Sequence, residues 1–214
     1  MVLACTLMGC SVDDARTLGH ASSDGAGGAA GDTGNGGNAG QTWLGCGEAG
    51  GGGDANSTHC WSFDHDTEGW APEPSVTQDF SAEDASADPT SGSLTITNVD
   101  VGDGRDLVTA GADQCLPVPY ATTYAVEFEA LLPAQASIGG ASVELTFVNV
   151  PGCQGIILRE DQYGDETALS WRHVTAHGMV PRNTRSVLFR LLVDKFHSDP
   201  PFMASFDHVR LDFE

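Results

Sequence analysis

The sequence predicts an all-β protein: a jelly-roll sandwich preceded by a Gly-rich tether. Three observations carry that reading. The closing stretch, Met203 to Phe213, alternates, with Val209, Leu211 and Phe213 on one parity and His208, Arg210 and Asp212 on the other. A period of two marks a strand with one buried and one wet face. About nine or ten such runs, separated by Gly, Pro, Asn and Asp, occupy roughly 155 residues, the signature of a sandwich or jelly roll. No segment sustains the 3.6-residue period of an amphipathic helix. One residue disturbs the closing strand. Asp207 shares the parity of Val209 and Leu211 and so points inward, where a carboxylate needs a cation, several N–H donors or a local bulge.

The elements follow in order. Residues 1–10 are apolar, and Leu7-Met8-Gly9-Cys10 resembles the lipobox of bacterial lipoproteins, in which the cysteine after a small residue carries the lipid. Val2 to Cys5 has the same look. The apolar run has no preceding Lys or Arg and is shorter than a signal-peptide core, which implies a truncated signal segment. Ser11 after Cys10 implies sorting to the outer membrane, and the expected location is outer-membrane or secreted, with the lipid as the only membrane contact. Residues 11–57 are dominated by Gly, Ala, Ser, Asn, Thr and Asp. Such a composition buries too little apolar surface to offset its ordering entropy and reads as a flexible linker. Its glycines match neither a phosphate-binding loop nor a dinucleotide fingerprint.

The folded domain is expected over 58–214. Cys60 to Asp64 reads as a first strand, expected to meet the last one. Ser75 to Phe80 and Ser93 to Thr97 follow. Gln114 to Val118 reads as an edge strand because Pro117 is poorly tolerated in a sheet centre. The strongest strands are Thr122 to Leu132, with Tyr124, Val126 and Phe128 inward; Ser142 to Phe147, with Val143, Leu145 and Phe147 inward; and Arg185 to Asp194, with Val187, Phe189, Leu191 and Val193 inward. Gly155 to Arg159 and Leu169 to Thr175 are weaker. Glu160 to Glu166 reads as an acidic turn.

The net charge of −21, from 30 acidic and 9 basic residues, leaves no basic footprint to neutralise phosphates, which argues against nucleic-acid partners and against docking on an anionic leaflet. Without Cys5 and Cys10, four cysteines remain and allow three pairings. Cys115–Cys153 and Cys46–Cys60 are the preferred pairs and fit an exported protein; a zinc site is the alternative, disfavoured by long spacings and the lack of a C-x-x-C pair. Catalysis is not expected. No nucleophile motif or H-E-x-x-H occurs, and His173 and His177, in a strand, stand about 13 Å apart, too far to share an ion.

Phe63-Asp64, Gly69-Trp70, the strand at Ser93-Leu94, the run Cys115 to Tyr124, Trp171 to Val174 and Phe206 to Leu211 occur in an order similar to that of jelly-roll carbohydrate-binding modules of the galactose-binding-domain-like type. The resemblance covers roughly Cys60 to Phe213. The chain departs from the pattern at Asp64 (usually Glu), Ala121 (usually Gly) and His208 (usually a second Asp). The resemblance implies a non-catalytic glycan-binding protein, or a structural or adhesive surface protein that keeps the fold without a sugar site. It implies a structural calcium joining the first and last strands, with Asp64 and Asp207 as carboxylate ligands. Asp100, Asp103 and Asp106 lack EF-hand spacing and read as a solvated loop. Family sugar sites stack rings on pyranose faces. Trp61, Trp70 and Trp171 match positions in or beside the core, which leaves Tyr163, in the acidic turn, and Tyr120 as candidate carbohydrate-binding residues.

Overall fold

The computed structural model describes residues 57–100, 107–132, 139–165, 170–196 and 199–214. Residues 1–56, with the expected lipobox, the linker, Cys10 and Cys46, lie outside them, as do Asp103 and Asp106. The described strands are β1 (Ser57–Trp61), β2 (Ala71–Pro72), β3 (Val76–Ser81), β4 (Ser93–Asn98), β5 (Leu107–Pro117), β6 (Thr123–Leu131), β7 (Gly139–Val148), β8 (Ile157–Asp165), β9 (Arg172–Met179), β10 (Ser186–Phe196) and β11 (Phe202–Phe213). No helix occurs among the described residues.

The strands form two antiparallel sheets. One runs β3-β4-β11-β6-β9, with β1 also on β11; the other runs β2-β5-β10-β7-β8. The first strand therefore does meet the last: Trp61 faces Val209 and Ser57 faces Phe213. β11 changes partner along one edge, pairing with β4 over Phe202 to Phe206 and with β1 over Val209 to Phe213, while β6 keeps its other edge. The alternating residues named above fill the space between the sheets. Tyr124, Val126 and Phe128 from β6, Val143, Leu145 and Phe147 from β7 and Val187, Phe189, Leu191 and Val193 from β10 are all buried. Each large side chain buried there contributes roughly 1.5–3 kcal/mol. Trp61, Trp70 and Phe189 make one aromatic cluster, with ring centroids 5.2–5.5 Å apart; Trp171 is half-buried.

Three expectations about strands are corrected. β5 is longer than the edge strand expected at Gln114 to Val118, and it lies between β2 and β10. Short β2 reaches only Ala112 and Asp113, so Pro117 still ends a stretch with a partner on one side alone. The acidic turn is instead the second half of β8. Its polar residues suit an outermost strand, which has solvent along one edge.

The third correction concerns Asp207. The β11–β6 register shifts between Asp207 and Arg210, and His208 takes φ = 48°. Before the shift the even residues Phe202, Ala204 and Phe206 are buried in the core; after it the odd residues Val209, Leu211 and Phe213 are. The bulge reverses the phase of the alternation. Asp207 opposes Glu129 and lies on the outer side of its sheet, buried beneath the segment that follows β3.

The pair Cys115–Cys153 forms as expected, with Cα atoms 5.9 Å apart. Cys60 is disulfide-bonded too; Cys46, expected as its partner, lies outside the described residues.

Candidate functional site

Two arrangements of polar side chains stand out on the solvent sides of the sheets. The first surrounds Asp207. One of its oxygens accepts the Ala85 N–H at 3.0 Å, the other the His208 N–H at 2.6 Å. His208 Nδ1 lies 2.9 Å from Glu129 Oε2. Donor atoms of Asp84, Asp207 and His208, all buried, lie within 4.8 Å of one another. Burial raises the Asp207 pKa; the Ala85 N–H, the His208 charge and the His208 N–H oppose that, and the Asp84 carboxyl adds to it. For His208, burial disfavours the charged ring, yet the hydrogen bond to Glu129 and the charges of Asp207, Glu129 and Asp84 outweigh it, so its pKa is raised.

Asp64, the other expected calcium ligand, is not a member of this group. Its two oxygens accept the Ser62 hydroxyl at 2.9 Å and the Ser91 hydroxyl at 2.6 Å. Calcium takes about six to eight oxygen ligands. A set of two carboxylates and one imidazole offers too few oxygens for that requirement.

The second arrangement crosses the outer face of the five-stranded sheet. Asp113 on β5 opposes Arg190 on β10, Arg190 opposes Glu144 on β7, and Glu144 opposes Gln162 on β8. Directly opposed residues share a face, so the four side chains form one row perpendicular to the strands, spanning three steps of about 4.8 Å. The Arg190 guanidinium donates to Glu144 at 2.8 Å and also to Glu73, just beyond β2. Glu73 in turn accepts the Gly111 N–H at 2.9 Å, and Gln162 donates to the Ser142 hydroxyl at 2.9 Å. Burial disfavours the Arg190 cation, but the hydrogen bonds it donates to Glu144 and Glu73 and the charges of those carboxylates hold its pKa above the ordinary value. Burial and the charge of Glu73 raise the Asp113 carboxyl against the pull of Arg190. These side chains are held in place but reachable, with 21% of Arg190, 23% of Glu73 and 17% of Glu144 exposed.

The two candidate sugar-binding tyrosines part company. Tyr120, in the connection between β5 and β6, is 99% exposed. Tyr163 is not at a turn. It opposes Val143 in the β7–β8 ladder, packs half-buried against the core, and its hydroxyl lies 2.7 Å from that of Tyr124. A further ring escaped the sequence reading: Phe196, 42% exposed, shares the parity of Arg190 and stands at the far end of β10, facing exposed Leu107.

Neither the clamp at Arg190 nor the cluster at Asp84 had a sequence signal. Glu73 and Arg190 are 117 residues apart, and Asp84 and His208 are joined only by the packing of a loop on a bulge. The row itself had a weak signal, since Glu144 and Arg190 sit at outward positions of strongly alternating strands.

No protein-family model and no curated protein matches the chain. Solved structures do. The CBM22-1 xylan-binding domain of Paenibacillus barcinonensis Xyn10C superposes with a TM-score of 0.55 at 16% identity, over 76% of this chain and 97% of that one. The C-terminal family 22 carbohydrate-binding module of Clostridium thermocellum Xyn10B gives 0.51 at 18%, over 72% and 92%. The enzymatically active domain of bacteriophage CBA120 tailspike protein 4 gives 0.48 at 11% identity, and this chain spans 19% of its length. The described domain thus has the jelly-roll fold of carbohydrate-binding modules.

Proposed function

We propose that this chain is a non-catalytic glycan-binding protein, held at the cell surface by a lipid on Cys10, and that the outer face of the five-stranded sheet takes the glycan. The observation that carries this is the row Asp113–Arg190–Glu144–Gln162 with Glu73 folded over it. A sugar hydroxyl both donates and accepts. Carboxylates that accept, a guanidinium that donates and an amide that does both alternate along the row, and groups already fixed by one another lose little entropy on binding. Three carboxylates around one arginine exclude a polyanion and select a neutral polysaccharide. Phe196 at one end of the β5–β10 ladder and Tyr120 beyond the other supply rings on which a pyranose can stack. The likeness to xylan-binding modules supports the reading at the level of fold.

Affinity electrophoresis through gels containing xylan, mixed-linkage glucan, galactomannan or a polyuronate tests it. At least one neutral polysaccharide should retard the native protein and the polyuronate should not. Arg190→Ala should weaken retardation at least tenfold, because it leaves Glu73 and Glu144 without their cation, and Tyr120→Ala should weaken it less. Free migration in every neutral gel would sink the proposal. That outcome would favour the second reading, a structural or adhesive surface protein without a sugar site. Tyr163 speaks for the second reading, since its ring is turned inward and bonded to Tyr124.

A further inference from the structure

The donor group at the β11 bulge departs from the calcium site that the family resemblance implies, and the departure has chemical content. We infer that Asp84, Asp207 and His208 form a binding site for a zinc-like divalent transition metal, which pins the segment after β3 to the bulge of β11. Three observations lead there.

The donor set is two carboxylates and one imidazole, buried and mutually within 4.8 Å. Donors bound to one tetrahedral zinc at about 2.0–2.2 Å stand roughly 3.3–3.6 Å apart, so the widest pair must close by about an ångström to share an ion. Mixed nitrogen and oxygen donors suit zinc and its neighbours and are poor for calcium.

Asp84 is 8% exposed, one of its oxygens accepts the Asp88 N–H at 2.7 Å, and the other, Oδ2, is buried with no hydrogen-bond partner. Asp84 and Asp207 are two buried carboxyls that face each other, an arrangement that holds either a shared proton or a cation between them.

The third observation is the orientation of His208. Glu129 accepts from Nδ1 at 2.9 Å, and the other ring nitrogen, Nε2, lies 3.5 Å from the Ser86 hydroxyl; a metal would take Nε2 in competition with its proton. A carboxylate behind the imidazole is the usual outer support of a zinc-bound histidine. Glu129 is on β6, so the site links the 82–92 segment, β11 and β6. It uses no residue of the proposed glycan row, and the two proposals stand or fall separately.

The test uses the full untagged chain after chelation. Zinc, cobalt or calcium is added alone while thermal unfolding is followed, with the cobalt visible spectrum as a second readout. Zinc should raise Tm and saturate at one ion per chain, at concentrations at least 100-fold below any calcium effect. Cobalt should give the absorption bands of a low-coordinate site, bleached by one equivalent of zinc. Asp84→Asn removes a carboxylate while keeping size and should fold; its zinc midpoint should weaken at least tenfold, and His208→Ala should abolish the cobalt bands. The inference is overturned if calcium acts at lower concentration than zinc, if neither zinc nor cobalt shifts Tm, or if the zinc response is unchanged in Asp84→Asn.

Discussion

Tyr124 shows how one side chain can span the two sheets. Its ring lies against Phe147 with centroids 5.3 Å apart, and its hydroxyl donates to Asp161 at 2.5 Å and lies 2.7 Å from the Tyr163 hydroxyl. Tyr124 comes from one sheet, Asp161 and Tyr163 from the other. Room for the phenol exists because position 178, directly opposite on β9, is glycine; a Cβ there would fall 2.3 Å from the Tyr124 oxygen. Burial first, then the hydrogen bonds with Asp161 and Tyr163, push the Tyr124 pKa well above that of a free phenol. The sign follows by linkage. A group whose pKa is raised by folding contributes its full stability below its unfolded pKa, near 10 for tyrosine, and loses it as the pH climbs toward the folded value. Tyr124→Phe should therefore cost about 1–2 kcal/mol at pH 7, and the gap between variant and native urea midpoints should shrink above about pH 10. A gap constant from pH 7 to 11 would show that the phenol proton has no such role.

At the scale of elements, the bond between Cys115 and Cys153 joins β5 to the β7–β8 connection over the outer face of one sheet. It closes a separation of 38 residues, for which the chain-entropy model gives about 4 kcal/mol. Replacing both cysteines by alanine should lower the urea-unfolding free energy by that order; a loss below about 1 kcal/mol would mean that the reduced chain is already held together there. Legibility also divides by element. β6, β7 and β10 were readable because each puts large apolar residues on alternate positions against the opposite sheet. β8 was not: Glu160, Gln162 and Gly164 face outward, and inward-facing Asp161 looks like a turn residue until its partners Tyr124 and Arg159 are seen. Asp207 was readable as buried but not as to where, because alternation from one end of a strand cannot reveal a bulge in its middle. The clamp at Arg190 was illegible because its members come from three separate stretches.

For the whole molecule, the fold and the opening residues bear on different questions. The sandwich says what the domain can present to a ligand, whereas the expected lipid address is written in Leu7 to Cys10 alone. If Cys10 is the acylated residue, cells grown with labelled palmitate should label the native chain and leave Cys10→Ala unlabelled; label retained by that variant would move the site or dismiss it. One topological feature bears on the order of folding. β11 is the last described strand in sequence, yet it lies inside its sheet, with β4 and β1 on one side and β6 on the other. Until the ribosome has delivered Phe202 to Phe213, β4 can pair only with β3 and β6 only with β9, and early collapse gains little from contacts so distant along the chain. A polypeptide wired in this way can complete its six-stranded sheet only after that strand has been made.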